Sequence, residues 1–180
     1  MTIYYQHIGE VLWKRDAPKS IGSHENGVVR FSANDIERFL NLLNPFEQQQ
    51  IRDTIHKFAP DGFQIWGLPS GAKHVLNDMS KGDFLLLLES TEFRYVGEVL
   101  YRISQPLHLF SAHIWGEERF PIIILLRGKM ITYGWDQFKK HFGFAETYHM
   151  RGNTARIADN RVAESPSGTE KAFINSIFHH

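Results

Sequence analysis

The chain of 180 residues contains no cysteine, which excludes a disulfide framework, a thiolate zinc site and a cysteine nucleophile. Long apolar runs are absent as well: FLLLL at residues 84–88 and IIILL at residues 122–126 fall far short of the roughly 20 residues that cross a bilayer. The first residues show no charged segment followed by an apolar stretch, so a secretory signal is not expected. These absences lead to the expectation of a soluble, cytoplasmic protein without a membrane partner. Charge of one sign is also lacking, because 20 Lys and Arg are matched by 20 Asp and Glu. No global basic field therefore announces a polyanion.

Catalytic signatures are missing too. There is no HExxH, GxSxG or P-loop. Asp83 and Glu89 are not followed by the lysine that a PD-(D/E)xK nuclease needs two residues on. His141, Glu146 and His149 do not have the spacing of a common metal site. The expectation is a binding domain with no catalytic residue, no metal and no cofactor.

What is present is an apolar, aromatic chain, 42% hydrophobic and 13% Phe, Trp and Tyr, enough to build one compact domain with a real core. Residues 1–31 carry short apolar patches, IYY at 3–5 and VLW at 11–13, and read as short strands and loops around a glycine-containing connection. Ser32 is a good N-cap for a helix over 33–43, where Ile36, Phe39, Leu40 and Leu43 recur at helical spacing. Asn44, Pro45 and Glu47 then give a cap, a first-turn proline and a third-position glutamate, the pattern of a capping box, for a second helix to about Phe58. The two form a helical hairpin.

From residue 63 the period changes. Residues 63–68 read as a strand broken by Pro69-Ser70-Gly71, 72–79 as a short helix, and 80–83 as a turn. Residues 84–88 and 93–103 read as a hairpin, 107–115 as a helix stopped by Gly116, and 122–126 as a buried strand. Arg127-Gly128-Lys129 reads as a turn before a short strand at 130–133, a helix follows over 135–142, and 149–157 is a closing strand or an ordered loop. Residues 165–168 read as a linker and 169–178 as a final helix. This divides the chain into 1–62, strands and helical hairpin; 63–164, the core; and 165–180, a tail.

Two tryptophans, Trp66 and Trp115, close an apolar strand and a helix-like segment, where each serves either as core or as a surface for a flat ligand. Between residues 139 and 161, Lys139, Lys140, Arg151, Arg156 and Arg161 face only Glu146 and Asp159 in sequence, a local basic segment.

The order of FQIWG at 63–67, Lys81-Gly82-Asp83, Tyr95-Val96-Gly97-Glu98-Val99, Ile114-Trp115-Gly116 and Phe120-Pro121 resembles the EVE and YTH-like branch of the PUA superfamily, over about residues 63–157. In particular it is similar to the modified-base-reading domains of McrB proteins and EVE-HNH nucleases. That resemblance implies a mixed α/β (α+β) fold, a PUA-like twisted β-barrel surrounded by helices. It also implies the function: double-stranded DNA with a methylated or hydroxymethylated base, flipped into an aromatic pocket, as the specificity module of a modification-dependent restriction system. An AAA+ GTPase or HNH nuclease would then lie on another segment or chain. Trp66 and Trp115 become the two cage walls, with Phe93, Tyr95 and Phe120 as candidates for a third and Ser70 placed to bond the base edge. Lys73, Lys139, Lys140, Arg151 and Arg156 become the phosphate contacts. Trp13 and Trp135 read as packing residues. Two other readings stay open: a reader of modified RNA on the same barrel, and a protein-interaction module with both tryptophans buried.

Overall fold

The runs FLLLL and IIILL are apolar without alternation because their strands are covered on both faces. A computed structural model describes residues 1–72, 77–150 and 154–178. In chain order its elements are β1 (Ile3–Ile8), α1 (Glu10–Ser20), β2 (Gly22–Ser23), β3 (Gly27–Val28), α2 (Ala33–Leu40), α3 (Pro45–Phe58) and β4 (Gln64–Leu68). A 3₁₀ turn, Ser70–Ala72, leads towards β5 (Phe84–Glu89), β6 (Glu92–Arg102), α4 (His108–Trp115) and β7 (Ile122–Gly134). Last come α5 (Trp135–His141), β8 (Thr154–Arg156), α6 (Asp159–Glu164) and α7 (Glu170–Phe178).

Among the described residues, six strands form one sheet in the order β4-β7-β6-β5-β1-β8. Only the β1–β5 pair within it is parallel, and the long connection between those strands is what a parallel pair requires. Because β1 lies between β5 and β8, the sheet draws on residues from both sides of position 62. Along β7, Ile122, Ile124 and Leu126 face an inner core shared with Tyr4, Leu85, Leu87, Val99 and α1. Ile123 and Leu125 face an outer core built with α2, α3 and α4. A third cluster covers the outer side of β1, β5 and β6 with α5, α6 and α7. Both faces of the sheet are thus covered.

The helical hairpin is present as α2 and α3. Asp35 accepts from both the backbone N–H and the hydroxyl of Ser32, at 2.6 and 2.7 Å, and so fixes the start of α2. Asn44 Oδ1 accepts from the Glu47 N–H at 2.9 Å, as its cap position requires. Glu47 does not return the bond. Its buried carboxylate accepts instead from the backbone N–H and the hydroxyl of Ser104, at 2.7 and 2.6 Å, tying α3 to the exit of β6.

Two local expectations are corrected. Residues 11–13 belong to α1, which starts after Gly9 and admits Pro18 in its last turn. Arg127-Gly128-Lys129 is no turn: it lies inside the 13-residue β7, whose Gly128 pairs with Gly97 at a close crossing of two strands. A Cβ on Gly128 would stand 2.1 Å from Val96 O. Of the helix expected over 72–79, residues 73–76 lie outside the described residues; Ala72 ends the 3₁₀ turn and Asn77-Asp78 form another turn. The linker expected at 165–168 is preceded by α6, which the sequence did not announce.

On α5, the His141 ring lies 4.7 Å from Phe142 and 4.9 Å from Phe173, with Nε2 2.9 Å from Ser167 Oγ. Burial lowers its pKa below the ordinary value. The unfolded chain therefore takes up a proton at higher pH than the folded one, so stability is full above about pH 6.5 and falls as pH drops through the lowered value. The urea midpoint is expected to fall between pH 7.5 and 5.5, and His141→Gln to reduce that fall. An equal fall in both proteins would place the acid sensitivity elsewhere.

Candidate functional site

The C-terminal ends of β1, β4 and α4 meet at one corner of the barrel. Gly116, at φ +82°, closes α4 in the left-handed conformation that glycine adopts without strain. The loop after it is folded back by Ser111, whose hydroxyl donates to Glu117 O at 2.6 Å and accepts from the Phe120 N–H at 3.0 Å. Phe120 thereby packs edge-on to Trp115, with ring centroids 5.8 Å apart. Trp115 lies against the backbone of β4 because position 67 is glycine; a Cβ there would be 2.5 Å from the indole.

Trp66 and Trp115 meet edge to face, with centroids 6.4 Å apart and planes at 77°. Their indole N–H groups are both engaged: Trp66 Nε1 donates to Gln6 Oε1 at 2.7 Å, and Trp115 Nε1 to Ser20 Oγ at 3.2 Å. Both residues are buried, with 5% and 4% of their surface exposed. The two rings stand perpendicular rather than as parallel walls, and the hydrogen bonds hold them so.

Beside them opens a cavity of about 130 Å³, lined by Trp66, Trp115 and Phe120 together with Gln6, Gly9 and Asp16. A cavity on the order of 150 Å³ holds benzene, so this one is on the scale of a single flat ring. The polar residues on its lining are Gln6, His7 and Asp16, and hydrogen bonds fix the first and the last. Trp66 orients the Gln6 amide by taking its oxygen, which turns the NH₂ end elsewhere. Asp16, only 3% exposed, accepts from Arg15 Nε and Nη2 at 2.7 Å each, a two-point ion pair that leaves carboxylate lone pairs over. Arg15 also pairs with Glu117, and Arg119 does so at 2.7 Å. The Arg119 guanidinium, followed by Arg15, holds the Glu117 carboxyl below its usual pKa.

Among the residues proposed from sequence, Trp66, Trp115 and Phe120 come together at this cavity. Tyr95 does not reach it: its ring is fully buried, its hydroxyl donates to Gln64 Oε1 at 3.1 Å, and burial raises its pKa well above the ordinary phenol value. Phe93 is packed into the third core, 4.8 Å from Phe138. Ser70 lines a separate cavity with Arg102 and Ser104. Trp13 packs partly buried against the inner core and Trp135 stacks on Phe138 at 5.4 Å.

The basic segment is partly neutralised. Lys139 is buried, donates to Glu146 O at 2.6 Å and pairs with Asp136 at 2.9 Å. Arg156 faces Asp159 at 3.4 Å, Arg161 donates to the carbonyls of Phe142 and Gly143, and Lys140 is exposed beside a groove it shares with Glu146. Lys73 and Arg151 lie outside the described residues. Sequence reasoning missed Gln6, Gly9 and Asp16, all within the first 16 residues and outside the 63–157 stretch. The available signal was a polar residue, Gln6, inside an apolar strand.

No protein-family model matches the chain, and no curated protein matches it. Among solved structures the chain is similar to the N-terminal domain of Thermococcus gammatolerans McrB bound to m5C DNA, at 14% sequence identity and a TM-score of 0.65. The likeness covers 98% of this chain and 99% of that one, so it takes in residues 1–62 as well as the stretch that carries the motifs. At this identity the likeness is one of fold, and the fold is the expected PUA-like one: a mixed sheet clothed by helices.

Proposed function

We propose that this domain binds double-stranded DNA carrying a modified base, rotates that base out of the stack and holds it in the cavity beside Trp66, Trp115 and Phe120. In this reading it is the non-catalytic specificity module of a modification-dependent restriction system, with the nuclease or nucleotide-driven motor on another segment or chain. The observation that carries the reading is the ring-sized cavity of about 130 Å³ with three aromatic residues and two fixed polar groups. The McrB domain that shares the fold is itself bound to m5C DNA, which supports it.

The energetics fit. Extruding a base costs a few kcal/mol, and stacking on an aromatic side chain returns roughly 1–3 kcal/mol per base. A methyl group buried in an apolar corner adds about 0.8 kcal/mol, enough for a severalfold preference. The Asp16 carboxylate can accept from an exocyclic amino group, while the Gln6 amide nitrogen can donate to a ring nitrogen or carbonyl. Cytosine, adenine and guanine each present an amino group and an acceptor on their Watson–Crick edges; thymine has no amino group to offer.

The test is a set of matched duplexes with 5-methylcytosine, 5-hydroxymethylcytosine, N6-methyladenine or no modification, read by affinity and by tryptophan emission. One modified duplex is expected to bind severalfold more tightly than its unmodified match and to quench emission. Equal affinity and unchanged emission across the set would overturn the proposal. A preference seen only with methylated RNA would replace DNA by RNA as the ligand.

A further inference from the structure

We infer that Arg102 is the binding site for a phosphodiester of the strand whose base enters the pocket, a site that rests on the function proposed above and adds a second point of attachment to it. Three observations place it there.

The first is register. Ile124 on β7 pairs with Trp66 of β4 on one side and with Arg102 of β6 on the other. Residues directly opposite one another in a sheet project from the same face. Arg102 therefore follows Trp66 in one cross-strand row, two strand spacings or roughly 10 Å away. The two sites also adjoin through the chain, since Pro69 lines the base pocket and the next residue, Ser70, lines the cavity of Arg102.

The second is an unmet charge. Among the described residues, Arg102 Nε is buried and has no hydrogen-bond partner. Other arginines of the barrel are answered by carboxylates: Arg15 by Asp16, Arg52 by Glu37, Arg94 by Glu89 and Glu92, Arg127 by Glu98. No ion pair of Arg102 occurs among the described residues. A partly buried guanidinium without an acceptor is costly, and an outside anion would complete it.

The third is shape and lining. Arg102 borders two cavities, one of about 40 Å³ with Ser70, Ser104 and Gln105, and one of about 430 Å³ with Thr54, Ser80 and Lys81. Hydroxyl and amide donors around a planar, permanently charged guanidinium suit the tetrahedral oxygens of a phosphate. Asp53 also borders the larger cavity, and its carboxylate accepts from Gln49 Nε2 at 2.8 Å.

A phosphate contact carries affinity without sequence or modification preference, which makes it separable from the pocket. Arg102→Gln is expected to weaken modified and unmodified duplexes by the same factor, about tenfold, and to reduce the slope of log affinity against log salt by about one. Arg102→Lys should keep the slope and lose only part of the affinity, which guards against a variant that merely folds poorly. In the absence of DNA, inorganic phosphate at millimolar concentration should raise the melting temperature of the wild type and not that of Arg102→Gln. Unchanged affinity and slope in a folded Arg102→Gln protein would overturn the site, as would equal protection of both proteins by phosphate. If the wild type binds no duplex but phosphate still protects it through Arg102, the anion site stands and the base-reading function falls.

Discussion

A Gly9→Trp variant is expected to lose the preference for modified DNA, binding the modified duplex about fivefold more weakly, down to the level of its unmodified match, while its folded stability moves by less than about 1 kcal/mol. Gly9 borders the cavity and is the residue before α1. Its backbone is extended, at φ −61° and ψ 144°, a conformation open to any residue. A Cβ built on it meets nothing within 4 Å. A large ring at this position therefore enters the mouth of the pocket without straining the chain. Stacking worth roughly 1–3 kcal/mol per base is largely offset by the cost of extrusion, so the loss is the net severalfold margin of about 1 kcal/mol, or about fivefold. The unmodified duplex, held through its backbone, should bind nearly as before. Titration of both duplexes checks this, with urea unfolding as the control; a retained preference in the folded variant would remove the cavity from the recognition mechanism.

The largest effect on stability is expected at Gly128. Gly128→Ala should cost about 4 kcal/mol or more, a large part of the roughly 5–15 kcal/mol that holds a domain together. The added Cβ would lie 2.1 Å from Val96 O, 2.6 Å from Gly97 Cα and 2.6 Å from the Tyr95 hydroxyl. Two of those atoms are backbone of the neighbouring strand, so relief requires β6 and β7 to part. Gln64 suffers with them, because its Oε1 accepts from the Gly128 N–H at 2.9 Å and from the Tyr95 hydroxyl at 3.1 Å. A buried polar group left without its partner costs about 1–3 kcal/mol. Urea denaturation should show the loss, with Gly9→Ala, whose Cβ meets nothing within 4 Å, as a glycine control costing less than about 1 kcal/mol. A midpoint within experimental error of the wild type would mean that the strands can separate at no cost.

The same glycine shows where sequence reasoning reaches its limit. Arg127-Gly128-Lys129 has the local chemistry of a turn, and only the close approach of β6 explains the glycine otherwise. Nothing within the segment encodes that neighbour. The strands at 84–88, 93–103 and 122–126, the helical hairpin and α4 were legible because period, caps and breakers agreed with one another. Helix α1 was not, since Pro18 and a weak apolar period argue against it locally and tertiary packing overrides both. At the candidate site, Trp66, Trp115 and Phe120 were recognisable as aromatics at element ends. Asp16 was hidden, as a charged residue on a surface helix is ordinarily solvated and only the fold buries it.

The hydrogen bond from Trp66 to Gln6 joins β4 to β1, strands with β7, β6 and β5 between them in the sheet. It is a fastener across the gap where the curled sheet nearly meets itself, and the cavity sits on that seam. Whatever occupies the cavity is thus gripped at once by β4 at one margin of the sheet and by β1, next to the other margin. Occupancy should act as a latch on the whole fold: opening the seam would require release of the ligand, and stability would rise with ligand concentration by about 1.4 kcal/mol for each tenfold excess over the dissociation constant.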